Sequence, residues 1–140
     1  KNYIVLIPGS SKKHPEKRWP FYGELAKEFM SRGYDVINIL GPDELDLKQS
    51  LLGHTLELLE WGDLAGVINK SSFVIGNDSG PSHIASCLKK PGVALFGPTT
   101  SGPKSELARP PFTIIETEDL SSLSSIDLFK KIKKSYSFLR

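Results

Sequence analysis

A short apolar run that ends in a glycine turn and leads at once into a helix constrains the fold of this chain most. Phe73-Val74-Ile75 is typical of a buried parallel strand. The chain turns through residues 76–80 and continues as a predicted helix over residues 81–88. Pro81 suits the first turn of that helix, because an N–H there would have no helical partner. A strand, a glycine turn and a helix start in that order are typical of the ligand-binding end of an open α/β sheet.

Polar residues gather at this turn. A helix start offers free N–H groups and the positive end of the helix dipole, and both favour a phosphate. Asp78, Ser79 and His83 lie beside it in the sequence, so the turn is a candidate nucleotide site. The structural alternative is that Asp78 or Ser79 only caps the helix and leaves His83 on its surface. The residues alone leave both interpretations open.

The same strand-then-helix order recurs along the chain. We predict strands over residues 3–7, 35–40, 55–59, 73–76, 93–96 and 112–116. We predict helices over residues 20–32, 43–52, 63–70, 81–88 and 125–138. The 140 residues suit one domain. The pattern predicts an α/β fold with a Rossmann-like, doubly wound parallel sheet of about six strands.

The loop after the first strand, residues 8–20, is the second candidate site. In a doubly wound sheet the first and fourth strands commonly lie side by side, which would bring this loop next to the turn at residues 76–83. Ser10 and Ser11 are small enough to let the backbone approach a pyrophosphate, and the loop's basic residues supply positive charge. The structural alternative is a solvated basic loop.

Acidic residues after the second predicted strand form the third candidate region. In Rossmann folds an acidic residue near this point bonds ribose hydroxyls, which suggests Glu44 or Asp43. Either carboxylate can instead complement the dipole of the following helix. The apolar stretch 56–61 has two interpretations, a wall for a nucleobase and a part of the core.

Composition and missing motifs exclude several classes of function. The net charge of +2 does not suggest nucleic-acid binding. Cys87 is the only cysteine, which excludes an internal disulfide and a cysteine-based zinc site, and we expect it to be a small buried residue. No apolar run approaches the ~20 residues that span a bilayer. The chain lacks the glycine-rich signatures of P-loop and dinucleotide-binding proteins and the serine elbow of hydrolases.

Two linked segments carry a family resemblance. They are Asn77-Asp78-Ser79-Gly80-Pro81-Ser82-His83-Ile84-Ala85 and Pro91-Gly92-Val93-Ala94-Leu95-Phe96-Gly97-Pro98-Thr99. Together they resemble the signature of the ADP-heptose:lipopolysaccharide heptosyltransferases (glycosyltransferase family 9), inverting enzymes of two Rossmann-like domains with GT-B architecture. Ser79 stands where the family commonly has Thr. The resemblance covers nearly the whole chain and implies the C-terminal, donor-binding half of such an enzyme, with the N-terminal acceptor domain absent.

The resemblance also implies which residues bind the donor. They are Ser10, Ser11, Lys17, Glu44, Asp78, Ser79, Gly80 and His83. Lys17 matches a basic residue that precedes Trp-Pro in the family. The alternatives to it are Lys12, Lys13 and Arg18. His83 is positioned in the first helical turn to donate to phosphate or to offset charge on the departing diphosphate.

The implied reaction transfers heptose from ADP-heptose to a lipopolysaccharide core acceptor. A base in the missing domain would deprotonate the acceptor, a lipid-linked saccharide, so we expect this chain alone to bind nucleotide weakly and to lack transferase activity. We expect no metal, no cofactor besides the ADP-sugar substrate and no nucleic-acid partner. The expected location is the cytoplasm, at the inner face of a Gram-negative inner membrane. Lysines of the last predicted helix leave peripheral membrane contact open. The alternatives are a GT-B transferase for another nucleotide sugar and a non-catalytic nucleotide-binding module.

Overall fold

Six parallel strands form one sheet. The computed structural model describes residues 2–9, 18–57, 59–77, 79–97 and 107–136, apart from the side chains of residues 42 and 43. The strands are β1 (Tyr3–Ile7), β2 (Asp35–Leu40), β3 (His54–Glu57), β4 (Phe73–Asn77), β5 (Gly92–Phe96) and β6 (Phe112–Glu116). Their order is β3-β2-β1-β4-β5-β6, and every neighbouring pair is parallel. This is the order of the doubly wound Rossmann sheet, so the predicted fold class is confirmed.

Helices cover both faces of the sheet. Within the described residues they are α1 (Tyr22–Ser31), α2 (Trp61–Asn69), α3 (Gly80–Cys87) and α4 (Ser125–Ser135), with short 3₁₀ helices at Pro42–Ser50 and Leu120–Ser122. Alternate side chains of β1 point to opposite faces. Ile4 and Leu6 pack in the core beneath α1 and α4. Val5 and Ile7 pack in the core beneath α2 and α3.

The first helix buries one amphipathic face. Tyr22, Leu25, Ala26 and Phe29 are all buried, as their helical spacing predicts. The chain leaves the helix through Gly33, whose φ of +92° lies in the region that glycine adopts without steric cost. The Gly33 N–H donates to the carbonyl of Met30 at 3.1 Å, which ends the helix.

Several element boundaries differ from the prediction. The third strand covers His54–Glu57, and α2 begins at Trp61. The segment Pro42–Ser50 is a 3₁₀ helix because it has no apolar stripe to pack as an α-helix would. The last helix is described to Ser135, and residues 137–140 lie outside the described part of the chain.

The predicted burial of Cys87 is wrong. Cys87 is exposed, and its Sγ accepts a hydrogen bond from Arg109 Nη1 at 2.9 Å. The buried face of α3 is centred on Ser82, Ala85 and Ser86, and at 100° per residue Cys87 lies about 150° from that centre. On α4, Leu128, Phe129 and Ile132 form the buried face, and Ile126 is 59% exposed.

No helix in the described part of the chain combines the length and the apolar character needed to cross a membrane.

Candidate functional site

The ends of β1 and β4 lie side by side at the point where the strand order reverses. Ile7 pairs with Gly76, so the chain leaves both strands at the same edge of the sheet. Asn77 Nδ2 donates to the carbonyl of Pro8 at 2.9 Å and ties the two exits together. The expectation that the first and fourth strands are neighbours is therefore confirmed, and this edge is where open α/β sheets bind ligands.

The side chain of Asn77 connects the segments that meet at this edge of the sheet. Its side chain is fully buried. Oδ1 accepts a hydrogen bond from the Tyr22 hydroxyl at 2.9 Å and a long one from the Trp19 N–H at 3.4 Å. Burial raises the pKa of the Tyr22 hydroxyl well above its ordinary value, so Tyr22 stays a neutral donor. Asn77 thus holds the end of β1, the segment before α1 and α1 itself.

The role of Asn77 was missed by sequence reasoning, although Asn77 lies inside the family motif. Its only local signal is an amide directly after a buried apolar strand, where an unpaired side chain would be unfavourable.

The glycine turn before α3 is shaped by a buried serine. Ser82 is fully buried, and its hydroxyl donates to the carbonyl of Asn77 at 2.6 Å. A Cβ on Gly76 would lie 2.5 Å from Ser82 Oγ, so the strand can approach the helix only with glycine at that position. This close approach sets the start of α3 directly above the end of β4.

Three predicted donor residues lie at the start of α3. Ser79 is the N-cap residue, but its side chain makes no capping hydrogen bond. Its hydroxyl instead lies 3.4 Å from Ser82 Oγ, so a capping role for the Ser79 side chain is wrong. Gly80 begins the helix, and His83 lies exposed in its first turn. Asp78 lies outside the described residues.

Glu44 reaches from the 3₁₀ helix to the end of β1. Its Oε1 accepts a hydrogen bond from the Gly41 N–H at 2.8 Å, a capping-box contact at the start of the 3₁₀ helix. The carboxyl group also packs over Gly9, where a Cβ would lie 1.9 Å from Glu44 Cδ. Glu44 is therefore brought to the same edge of the sheet as the start of α3.

A cleft of about 390 Å³ opens between these elements. Its walls are Ile39, Leu40, Gly41, Glu44, Leu59, Trp61, Leu64, Gly80 and Pro81. Two of the predicted donor residues, Glu44 and Gly80, share this cleft, and the apolar stretch at 56–61 contributes two of its walls. Its volume and its largely apolar lining with one acidic group are typical of small-molecule sites.

Of the basic loop, the structure describes residues 8–9 and 18–20. Arg18 Nη1 lies 3.3 Å from Asp46 Oδ2, and the Arg18 side chain is 12% exposed, so this alternative to Lys17 pairs with the 3₁₀ helix. Trp19 is 2% exposed and donates from Nε1 to the Leu123 carbonyl at 2.7 Å, which anchors the loop's end. The other predicted residues of the loop lie outside the described part: Ser10, Ser11, Lys12, Lys13 and Lys17.

Across the described ranges, no group of three or more His, Cys, Asp or Glu side chains is placed to hold a metal ion.

Solved structures share the fold. A glycosyl transferase family 9 protein from Veillonella parvula superposes with a TM-score of 0.81 and 26% identity, over 96% of this chain and 46% of that one. The Escherichia coli heptosyltransferase WaaC, solved with ADP-2-deoxy-2-fluoro heptose, gives a TM-score of 0.80 and 22% identity, over 95% of this chain and 43% of that one.

Curated relatives are heptosyltransferases. Lipopolysaccharide heptosyltransferase 2 of Escherichia coli (strain K12) is 33% identical over 110 residues, which are 69% of this chain and 31% of the relative. Lipooligosaccharide heptosyltransferase 2 of Haemophilus influenzae is 36% identical over 114 residues, 69% of this chain and 32% of the relative. The chain thus spans about a third of the length of these relatives. Residues 1–106 match the family described as glycosyltransferase family 9 (heptosyltransferase), and the chain belongs to that family.

Proposed function

We propose that this chain is the donor-binding part of an inverting glycosyltransferase that transfers heptose from ADP-heptose to a lipopolysaccharide core acceptor. The cleft that brings Glu44 and the start of α3 together at the edge where β1 and β4 end carries the proposal. The relatives named as lipopolysaccharide and lipooligosaccharide heptosyltransferases support the reaction. The heptosyltransferase structures solved with ADP and with an ADP-heptose analogue support the donor.

The chemistry of the described residues suits a nucleoside diphosphate. The first N–H groups of α3 and the Ser79 hydroxyl are donors for a phosphate. His83 lies in the same first turn of α3 and adds an imidazole N–H donor there. The Glu44 carboxylate accepts hydrogen bonds from ribose hydroxyls. Ser10, Ser11, Lys17 and Asp78 complete the predicted donor set.

In this mechanism the chain acts on the leaving group. Donors aimed at the diphosphate stabilise the charge that builds there as the anomeric carbon–oxygen bond breaks. The base that takes the proton from the acceptor hydroxyl belongs to a partner domain, which also binds the lipid-linked saccharide. The chain alone is therefore expected to bind nucleotide weakly and to catalyse no transfer.

Calorimetric titration with ADP, UDP, GDP and CMP tests the donor. We expect a preference for ADP in the parent chain. His83→Ala and Lys17→Ala should each weaken the binding of all the nucleoside diphosphates, because each variant removes a positive or donating group from the diphosphate. Lys134→Ala, an exposed lysine on α4, is the matched control and should bind like the parent. A preference for another nucleotide would indicate a different nucleotide sugar, and heptose transfer by the chain alone would contradict the division of roles.

The membrane contact and the cytoplasmic location belong to the same proposal. Lys130, Lys131, Lys133 and Lys134 are exposed on α4 and present positive charge that anionic lipid attracts. Co-sedimentation with vesicles of anionic lipid should fall when these lysines are replaced by glutamate. Unchanged co-sedimentation would mean that α4 is not the surface that contacts the membrane.

A further inference from the structure

Trp61 has a large apolar side chain that is mostly exposed to solvent. It is 65% exposed, whereas Trp19, the other tryptophan, is 2% exposed and packed in the core. A single exposed apolar side chain needs no explanation, but Trp61 lines the cleft beside Leu59 and Leu64. Because so little of its surface is buried by the protein, its packing contributes little to folding. Its position is better explained by what occupies the cleft.

Gly80 lets the indole reach the start of α3. A Cβ at residue 80 would lie 3.2 Å from Trp61 Cη2 and 3.8 Å from Cζ3. The benzene edge of Trp61 therefore rests against the first residue of α3, beside the N–H groups suited to a phosphate. Trp61 begins α2, so the ring bridges two helix starts at one side of the cleft.

We propose that Trp61 is the stacking wall for the nucleobase of the donor nucleotide, an inference that rests on the proposed function. A planar base beside the indole would keep its diphosphate within reach of α3 and its ribose within reach of Glu44, which lines the same cleft. Every nucleobase has a π face, so stacking adds affinity for nucleotides as a class. The choice of adenine then depends on polar contacts to the edge of the base.

Calorimetry on single variants tests this role. Trp61→Ala should weaken ADP, UDP and GDP by similar factors of about tenfold or more, because each loses its stacking partner. Inorganic pyrophosphate, which has no base, should bind the variant and the parent equally. Trp61→Phe should recover most of the affinity because it restores an aromatic face. Ile126→Ala is the matched control, since Ile126 is 59% exposed and lies on α4, outside the cleft lining.

Fluorescence gives a second readout of the same contact. Trp19 and Trp61 are the chain's two tryptophans, so only the exposed one should respond to nucleotide. ADP should change the emission of the parent chain and leave that of Trp61→Phe, in which only Trp19 remains, unchanged. Far-UV circular dichroism verifies that each variant is folded.

The outcomes distinguish a failure of this inference from a failure of the proposed function. If Trp61→Ala binds ADP as tightly as the parent, the stacking role is wrong and the donor site stands. A loss confined to ADP, or a matching loss of pyrophosphate binding, would also overturn stacking, because the first indicates a base-specific contact and the second an effect on α3. A parent chain that binds none of the nucleotides would overturn both proposals.

Discussion

Removing the Asn77 amide should destabilise the edge of the sheet where β1 and β4 end. The side chain is fully buried and makes hydrogen bonds to three separate segments. It donates to the Pro8 carbonyl at 2.9 Å, and it accepts from the Tyr22 hydroxyl at 2.9 Å and from the Trp19 N–H at 3.4 Å. Alanine at this position keeps the backbone of β4 and deletes all three contacts.

The geometry sets the expected size of the effect. The contacts to Pro8 and Tyr22 have ordinary hydrogen-bond lengths, whereas the long contact from Trp19 contributes less. A buried polar group left without its partner costs about 1–3 kcal/mol. Asn77→Ala leaves a carbonyl and a hydroxyl in that state, so we expect the free energy of unfolding to fall by about 3 kcal/mol. That is a large part of the ~5–15 kcal/mol typical of a domain.

Urea denaturation followed by far-UV circular dichroism measures this loss, and a double-mutant cycle assigns it. Tyr22→Phe alone should cost about 1 kcal/mol, because it removes one donor to Asn77 Oδ1. In the Asn77→Ala background the same change should recover about 1–3 kcal/mol, since it removes a buried hydroxyl that has already lost its acceptor. The coupling is therefore at least about 2 kcal/mol. Tyr34→Phe, which changes a partly buried tyrosine that packs near Phe29, should show no coupling to Asn77.

Two results would refute this account of Asn77. A loss below about 1 kcal/mol would mean that water or a rearranged backbone replaces the amide. Strictly additive effects of Asn77→Ala and Tyr22→Phe would mean that the hydroxyl does not depend on this acceptor.

Three further predictions concern the same edge of the sheet. Burial raises the pKa of the Tyr22 hydroxyl above its ordinary value of 10.0, so above that pH the folded chain keeps a proton that the unfolded chain releases. The free energy of unfolding should therefore fall as the pH rises above 10.0. Urea titrations at several pH values should show a shallower fall for Tyr22→Phe. Gly76→Ala places a Cβ 2.5 Å from Ser82 Oγ and should destabilise by about 1–3 kcal/mol in urea titration, with a smaller effect in a Ser82→Ala background. In Gly9→Ala the new Cβ would overlap the Glu44 carboxyl group and displace it. ADP affinity measured by calorimetry should therefore fall while the melting temperature changes little. In a Glu44→Ala background, Gly9→Ala should leave ADP affinity unchanged.

The sequence allowed the architecture to be predicted because its signals are local. Strands of a parallel sheet are buried on both faces and appear as short apolar runs, and all six were found, with β1, β2 and β6 at their observed bounds. The buried face of α1 followed from helical spacing. The 3₁₀ helix at Pro42–Ser50 was not predicted as such, because its form depends on the absence of a packing partner.

The site was only partly predictable because its contacts join distant parts of the chain. The Asn77 amide bonds Tyr22, 55 residues away, and Pro8, 69 residues away. No sequence spacing links such distant positions. The residue type alone therefore cannot show whether a polar side chain holds segments of the protein together or contacts a ligand. The side chain of Glu44 shows the same limit, since it accepts a hydrogen bond from the Gly41 N–H and also lines the cleft.

The motif at residues 76–83 serves two physical requirements at once, and this bears on whether the chain binds a donor. Gly76, Asn77 and Ser82 face inward and suffice to set α3 against β4. His83 is exposed in the first turn of α3, whereas Ser79 is half-buried, with its hydroxyl 3.4 Å from Ser82 Oγ and not capping the helix. A hydroxyl and an imidazole at a helix start are both groups that can donate to a phosphate. The turn therefore combines an internal framework with two groups that suit the proposed phosphate site.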